Sequence, residues 1–252
     1  MNAVAIVAIA LGALLLILIA SLITTLRLKT RGMTVLSGDS VNVWFESEKS
    51  AAEDVFRLSN ERAPEILRKL GFLQKQKVDI FIYDRQYTMQ TRKYGLIVPL
   101  FGLDWYIGDN IRTNVILTSP ANPGKLHDYD NNKNAAIHEM VHAYISKMNP
   151  RVKLWLTEGV ALYLTNGEPL SGDYLKRASV PTYSDTQSSN PIRFAKAGGY
   201  ACAHTYIEYL DRTYGWDAVL ALLRTEDYAK IFGKSRRDIY HEWTRYVTNQ
   251  PR

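Results

Sequence analysis

The chain begins with an unbroken apolar run and then changes to strand-like and helix-like patterns. Residues 3–26 contain no charged side chain, and their only hydroxyl residues are Ser21, Thr24 and Thr25. Such a run is long enough to cross a hydrocarbon layer of about 30 Å as a helix. No basic residue precedes it and no clean small-x-small cleavage site follows it. The pattern favours an uncleaved transmembrane anchor over residues 1–28, with a signal sequence as the alternative.

Three short segments are predicted to form β-strands, and the first of them has alternating bulky residues. They are VNVWFE (41–46), VDIFIY (78–83) and NVILTS (114–119). The tripeptide Gly108-Asp109-Asn110 has turn chemistry, so residues 103–119 are expected to form a hairpin. NVILTS is either the edge strand along which an extended peptide pairs or a plain sheet strand.

Apolar residues three and four apart predict helices in most of the remaining chain. The first covers 49–70, where Pro64 is expected to kink or divide it. The later predicted helices cover 133–148, 152–165, 197–215, 216–224 and 235–247. Because strands come first and helices follow, we expect an α+β fold over residues 33–252. In it, a small N-terminal mixed β-sheet with a helix would pack on a helical lobe.

The charge pattern narrows the partners that the chain can have. The net charge is +6, but no basic stripe interleaved with aromatic residues occurs, so we expect no nucleic-acid partner. Three basic residues within 27–31 follow the apolar run, and the positive-inside rule then favours a cytoplasmic domain. An extracytoplasmic domain remains the alternative, because short N-terminal anchors often deliver domains outward. The single cysteine, Cys202, excludes an internal disulfide, which suits a reducing compartment without excluding an oxidising one.

The segment AAIHEMVHAY (135–144) carries the first candidate chemistry. His138 and His142 are four residues apart, so on a helix they share one face and can bind one zinc ion together. Glu139 is rotated by about 100° from His138, which suits a base that takes a proton from water rather than a ligand. Two alternatives are a chance match and a pair of core histidines held by hydrogen bonds.

A catalytic zinc site needs a third protein ligand, and the sequence offers Glu158. A third histidine six residues after His142 is absent, since position 148 is Met. Glu158 lies in the otherwise apolar segment WLTEGVALYL, where burial of a charge is costly unless it is paired or bound to metal. Asn149-Pro150 predicts a short loop that returns this helix towards the first. The alternative is a solvent-facing glutamate near a helix start.

HEMVH followed by WLTEGVALYL resembles the gluzincin metallopeptidases, in particular the peptidase MA-like group that is distantly similar to the aminopeptidase N-type enzymes. The resemblance is specific over residues 133–165. It implies one zinc ion per chain, with His138, His142 and Glu158 as ligands and Glu139 as general base. It also implies that Tyr200, in AGGYACAH, donates to the oxyanion. The alternative for Tyr200 is an ordinary packed tyrosine.

Two features that related enzymes have are missing. There is no Gly-Ala-Met-Glu-Asn segment, so the resemblance gives no support for aminopeptidase specificity. Leu162 stands where thermolysin-type enzymes have an aspartate. The second absence leaves open which groups orient the imidazoles of His138 and His142.

These observations predict a membrane-anchored, zinc-dependent peptidase that cleaves peptide or protein substrates. The aromatic segment 101–106 is expected to line its site. The lipid bilayer is the expected partner of the N-terminal helix. Two alternatives are a catalytically inactive zinc-binding interaction domain on a peptidase-like fold, and a structural membrane protein in which the motif is accidental. The pattern leaves open the substrate, endo- or exopeptidase action and the oligomeric state.

Overall fold

A computed structural model describes residues 3–165 and 180–248 of the chain. The architecture is α+β, with a small mixed sheet and a majority of helix, which confirms the predicted fold class at this level. The chain divides into two compact units. The first comprises residues 1–64 and 77–140, and the second comprises residues 65–76 and 141–252.

The first unit contains a five-stranded sheet in the order β1-β2-β3-β5-β4. The strands are β1 (Thr34–Ser37), β2 (Val41–Phe45), β3 (Val78–Tyr83), β4 (Gly108–Ile111) and β5 (Asn114–Thr118). The three central strands run parallel, and each edge strand is antiparallel to its neighbour. Strands β3 and β5 are almost continuously buried, as expected where both faces of a sheet are covered, whereas β2 alternates between buried and half-buried residues.

The predicted hairpin exists, but its details differ from the sequence-based expectation. Gly108-Asp109-Asn110 is part of β4 rather than a turn, and the turn falls at Arg112 and Thr113, where Arg112 has a φ of 57°. The proposal that NVILTS forms the sheet edge is wrong, because β5 pairs with β3 on one side and β4 on the other. The apolar run of β5 suits a central strand, whereas the short polar β4 suits an edge.

The predicted helices occur in the predicted order, and the structure adds short helices between them. The helices are α1 (Ala3–Leu26), α2 (Lys49–Lys69), α3 (Gln86–Tyr94), α4 (Tyr129–Met148), α5 (Leu154–Thr165), α6 (Pro191–Lys196), α7 (Gly199–Tyr214), α8 (Trp216–Thr225), α9 (Tyr228–Phe232) and α10 (Arg236–Thr248), with 3₁₀ helices at Gly95–Phe101 and Asp185–Gln187. Pro64 lies inside α2 without dividing it. The chain passes from one unit to the other within α2 after Pro64, between Gln76 and Lys77, and within α4 after Met140.

Helix α1 is long and apolar enough to cross a membrane. Its large apolar side chains are exposed from Ile6 to Leu26, as a membrane-spanning helix requires. A signal sequence near the N-terminus meets the same description. The structure therefore confirms one apolar N-terminal helix and is consistent with either role.

Candidate metal centre

Helix α4 fixes the positions of both histidines. Its side chains at positions 136, 137, 140, 141, 143, 144 and 145 are buried and hold the helix in place. Asp128 precedes the helix and accepts a hydrogen bond from the backbone N–H of Asn131 at 2.7 Å, which satisfies one free donor of the first turn. His138 and His142 lie one turn apart on this helix. His142 is 7% exposed, and His138 is half-buried.

Helix α5 carries Glu158, and its neighbours explain why the glutamate is held rigidly. The ring of Trp155 is fully buried and packs edge-on against Phe194 and Trp243, with centroid distances of 5.7 and 5.6 Å. Gly159 lies against α7, where a Cβ atom would be 2.6 Å from the carbonyl oxygen of Ala203. The aromatic anchor and the glycine contact therefore fix α5 on either side of Glu158.

The two helices bring three potential metal ligands together. One ligand atom from each of His138, His142 and Glu158 lies within 4.8 Å of the other two. The Nε2 atom of His142 is 3.6 Å from a carboxylate oxygen of Glu158. Zinc–ligand distances of about 2.0–2.1 Å and tetrahedral angles place two N or O ligands roughly 3.3 Å apart. Both the chemistry and the spacing of this group fit a metal ion.

Glu139 lies beside the edge strand of the sheet. Its Cγ atom is 3.3 Å from where a Cβ atom on Gly108 would stand, so the glycine leaves room for it. Burial, the nearby Asp109 carboxylate and Tyr94 together raise the pKa of Tyr106, and the charge of Glu139 adds a smaller effect. Glu139 is thus in the electrostatic surroundings of Tyr106, within the aromatic segment that the sequence predicted to line the site.

Asp109 and Lys93, two charged residues linked to Tyr106, were not anticipated from the sequence. Asp109 accepts a hydrogen bond from the Tyr106 hydroxyl, and its Oδ2 is 3.0 Å from the Lys93 ammonium. Residues 108–110 were expected to form a turn, so a contact between Asp109 and Tyr106 was not expected. The only available signal was the charge of Asp109, three residues after the aromatic segment 101–106.

Tyr200 lies in the first turn of α7. Its ring packs edge-on against Phe194 at 4.9 Å, and the residue is 39% exposed. Its role as an oxyanion donor stays a prediction.

The remaining histidines differ from those of the metal-ligand group. His204 is buried beside Tyr163, with ring centroids 5.5 Å apart, and burial lowers its pKa. His127 lies 2.9 Å from the carbonyl oxygen of Trp105, and His241 is exposed on α10. Within residues 3–165 and 180–248, the histidines and carboxylates that meet in a metal-ligand geometry are those of His138, His142 and Glu158.

Comparison with known proteins adds no relative to this picture. No protein-family model matches the chain, and no curated protein matches it. Any functional assignment therefore rests on the residues of the site and on the motifs that carry them.

Proposed function

We propose that the chain is a membrane-anchored, zinc-dependent peptidase of the gluzincin type. The observation that carries the proposal is the convergence of His138, His142 and Glu158, whose ligand atoms lie within 4.8 Å of one another. Two imidazoles and one carboxylate form a ligand set typical of catalytic zinc, which leaves one coordination position for water or substrate. Glu139, next to His138 on the same helix, supports hydrolysis over a purely structural metal site.

The three ligands would hold one zinc ion per chain. When bound there, zinc supplies Lewis-acid polarisation of a carbonyl group and makes water more acidic. Glu139 accepts a proton from the attacking water and then donates it to the leaving amine. The hydroxyl of Tyr200 donates to the oxygen on which negative charge develops in the transition state.

The edge strand β4 offers a binding mode for a peptide substrate. It pairs with β5 on one side, while its other side ends the five-stranded sheet. An extended peptide can bind such an edge through main-chain hydrogen bonds. Gly108, in β4, lies against the Glu139 side chain, so a peptide on this edge would be close to the proposed base.

The Glu139→Gln substitution tests the proposal. The full chain, purified in detergent, is assayed for zinc content and for cleavage of a mixture of fluorogenic peptides. We expect unchanged zinc content and cleavage reduced by about 10²- to 10⁴-fold, because the amide cannot accept the proton. Glu61→Gln, at an exposed position on α2, is the control and should cleave like the wild type.

Two outcomes would contradict the proposal in different ways. Undiminished cleavage by Glu139→Gln would rule out Glu139 as the base. A wild-type chain that binds zinc but cleaves none of the peptides would favour the inactive zinc-binding domain instead.

A further inference from the structure

The 3₁₀ helix Gly95–Phe101 is attached to the last turns of α1. The backbone N–H of Leu96 donates to the Ser21 hydroxyl at 3.0 Å. Gly95 lies so close to the same residue that a Cβ atom there would be 2.9 Å from the Cβ of Ser21. Arg92, in α3, donates to the carbonyl oxygen of Arg27 at 3.0 Å. These contacts fix the 3₁₀ helix at the level of Ser21 along α1.

The attached segment has the composition of a membrane-contacting surface. Residues 95–103, GLIVPLFGL, contain no charged or hydrogen-bonding side chain. Val98 is buried and anchors the segment, whereas Leu96 and Ile97 are 37% and 43% exposed. At the same level of α1, Leu22 and Ile23 are 58% and 47% exposed. Apolar side chains of both elements are therefore exposed at one level of the molecule.

The length of α1 shows where that level falls in a bilayer. Its 24 residues span about 36 Å at 1.5 Å per residue, and a hydrocarbon core is about 30 Å thick. If α1 spans the bilayer upright, at most about 6 Å of its C-terminal end can then lie outside the hydrocarbon core. Ser21 precedes Leu26 by five residues, or about 7.5 Å. Ser21, and with it Leu96, would thus lie at or inside the hydrocarbon boundary.

The residues around this segment suit the interface between lipid and water. The guanidinium group of Arg92 binds carbonyl oxygens at the end of α1, and long basic side chains can extend from an apolar surface towards the headgroups. Trp105, just after the apolar segment, is 39% exposed, and tryptophan is enriched at membrane interfaces. The polar boundary thus follows directly on the apolar segment.

We propose that the 3₁₀ helix Gly95–Phe101 is a second membrane contact, with lipid acyl chains covering Leu96 and Ile97 beside α1. The inference requires α1 to span the membrane and is independent of peptidase activity. It also bears on the candidate site. Gln90 donates to the carbonyl oxygens of Leu103 and Tyr106 at 2.7 and 3.2 Å and so holds the chain that leads from this segment to β4. The edge strand beside Glu139 is thereby held close to the bilayer surface.

Fluorescence quenching in vesicles tests the proposal on the full chain. An environment-sensitive dye is attached to Leu96→Cys or Ile97→Cys, both at exposed positions. The variants are reconstituted into phosphatidylcholine vesicles with a minor fraction of phosphatidylglycerol and a nitroxide-labelled lipid. Leu22→Cys, in α1, reports on membrane insertion, and Glu53→Cys, at an exposed position on α2, reports on water. Cys202 is buried and should not take up the dye.

We expect dyes at positions 96 and 97 to emit at shorter wavelength than the dye at position 53. Their quenching should approach that at position 22 and exceed that at position 53 several-fold. Quenching at position 22 combined with water-like signals at 96 and 97 would overturn the second contact while leaving the anchor intact. Water-like signals at all four positions would overturn the anchor and the second contact together. Neither result depends on peptide cleavage, which is assayed separately.

Discussion

The Nε2 atom of His142 and a carboxylate oxygen of Glu158 lie 3.6 Å apart. This separation is too long for a hydrogen bond and close to the distance of roughly 3.3 Å between two ligands of a tetrahedral zinc ion. The two side chains are only 9% and 12% exposed. A metal ion bound between them would supply positive charge that favours the buried carboxylate.

Replacement of Glu158 should therefore remove or weaken the metal. In the full chain we expect one zinc per wild-type molecule by elemental analysis. Loss of an outer hydrogen-bonding partner of a metal ligand costs about 10- to 100-fold in affinity, so loss of a ligand in Glu158→Ala should cost at least as much. Glu61→Ala, on the exposed face of α2, should keep its zinc. A well-folded wild-type chain without zinc would refute the metal centre and the peptidase proposal together.

Metal removal should also lower thermal stability. The site joins α4 to α5 through His142 and Glu158, and a ligand that binds only the folded state stabilises it. Treatment with a chelator should therefore lower the Tm of the wild type, and added zinc should restore it. Glu158→Ala should respond much less to either treatment. An equal response in the variant would mean that the stabilising metal is bound elsewhere.

Much of this architecture could be predicted from the sequence, because hydrophobic periodicity reports local structure directly. Strands β2, β3 and β5 and helices α2, α4 and α5 were all expected near their observed positions. The meeting of His138, His142 and Glu158 was expected from HEMVH and WLTEGVALYL. HEMVH fixes the spacing of the two histidines within one helix. The position of Glu158 also depends on how α5 packs relative to α4.

The predictions that failed concern properties set by tertiary contacts. Strand β5 lies between β3 and β4 because of how the strands pair. Strand pairing is a tertiary property that the apolar run of β5 does not determine. The contact of Ser21 with Leu96 joins residues 75 positions apart and has no local sequence signal. The contact of Gly108 with Glu139 was also missed, because residues 108–110 resemble a turn.

Gly159 should tolerate no side chain. In Gly159→Ala, the new methyl group would meet the Ala203 carbonyl oxygen at 2.6 Å and the Ile207 side chain at 2.8 Å. Such overpacking typically costs about 1–3 kcal/mol, which outweighs the gain of about 1 kcal/mol from a better helix former. Chemical denaturation should thus show lower stability, and zinc binding should weaken because Glu158 is adjacent. Gly12→Ala, in α1 with no atom within 4 Å of the new methyl group, should show neither effect.

Tyr200→Phe separates catalysis from packing. The phenylalanine keeps the edge-on contact with Phe194 and loses only the hydroxyl, so folding and zinc content should not change. If the hydroxyl stabilises the oxyanion, kcat for the peptide mixture should fall by about 10²- to 10³-fold with little change in KM. Tyr87→Phe, at an exposed position on α3, should behave like the wild type. Full activity in Tyr200→Phe would make Tyr200 an ordinary packed tyrosine.

Cys202 should be unreactive in the folded chain. It is 1% exposed on α7, and burial raises the pKa of its thiol to about 11. The thiolate, which is the nucleophile, is therefore scarce near neutral pH, and the reagent cannot reach it. We expect a maleimide to modify less than about a tenth of the native chain in the time in which it modifies all of the denatured chain. Rapid modification of the native chain, read by mass spectrometry, would show that α7 opens locally and would require removal of Cys202 before any labelling experiment.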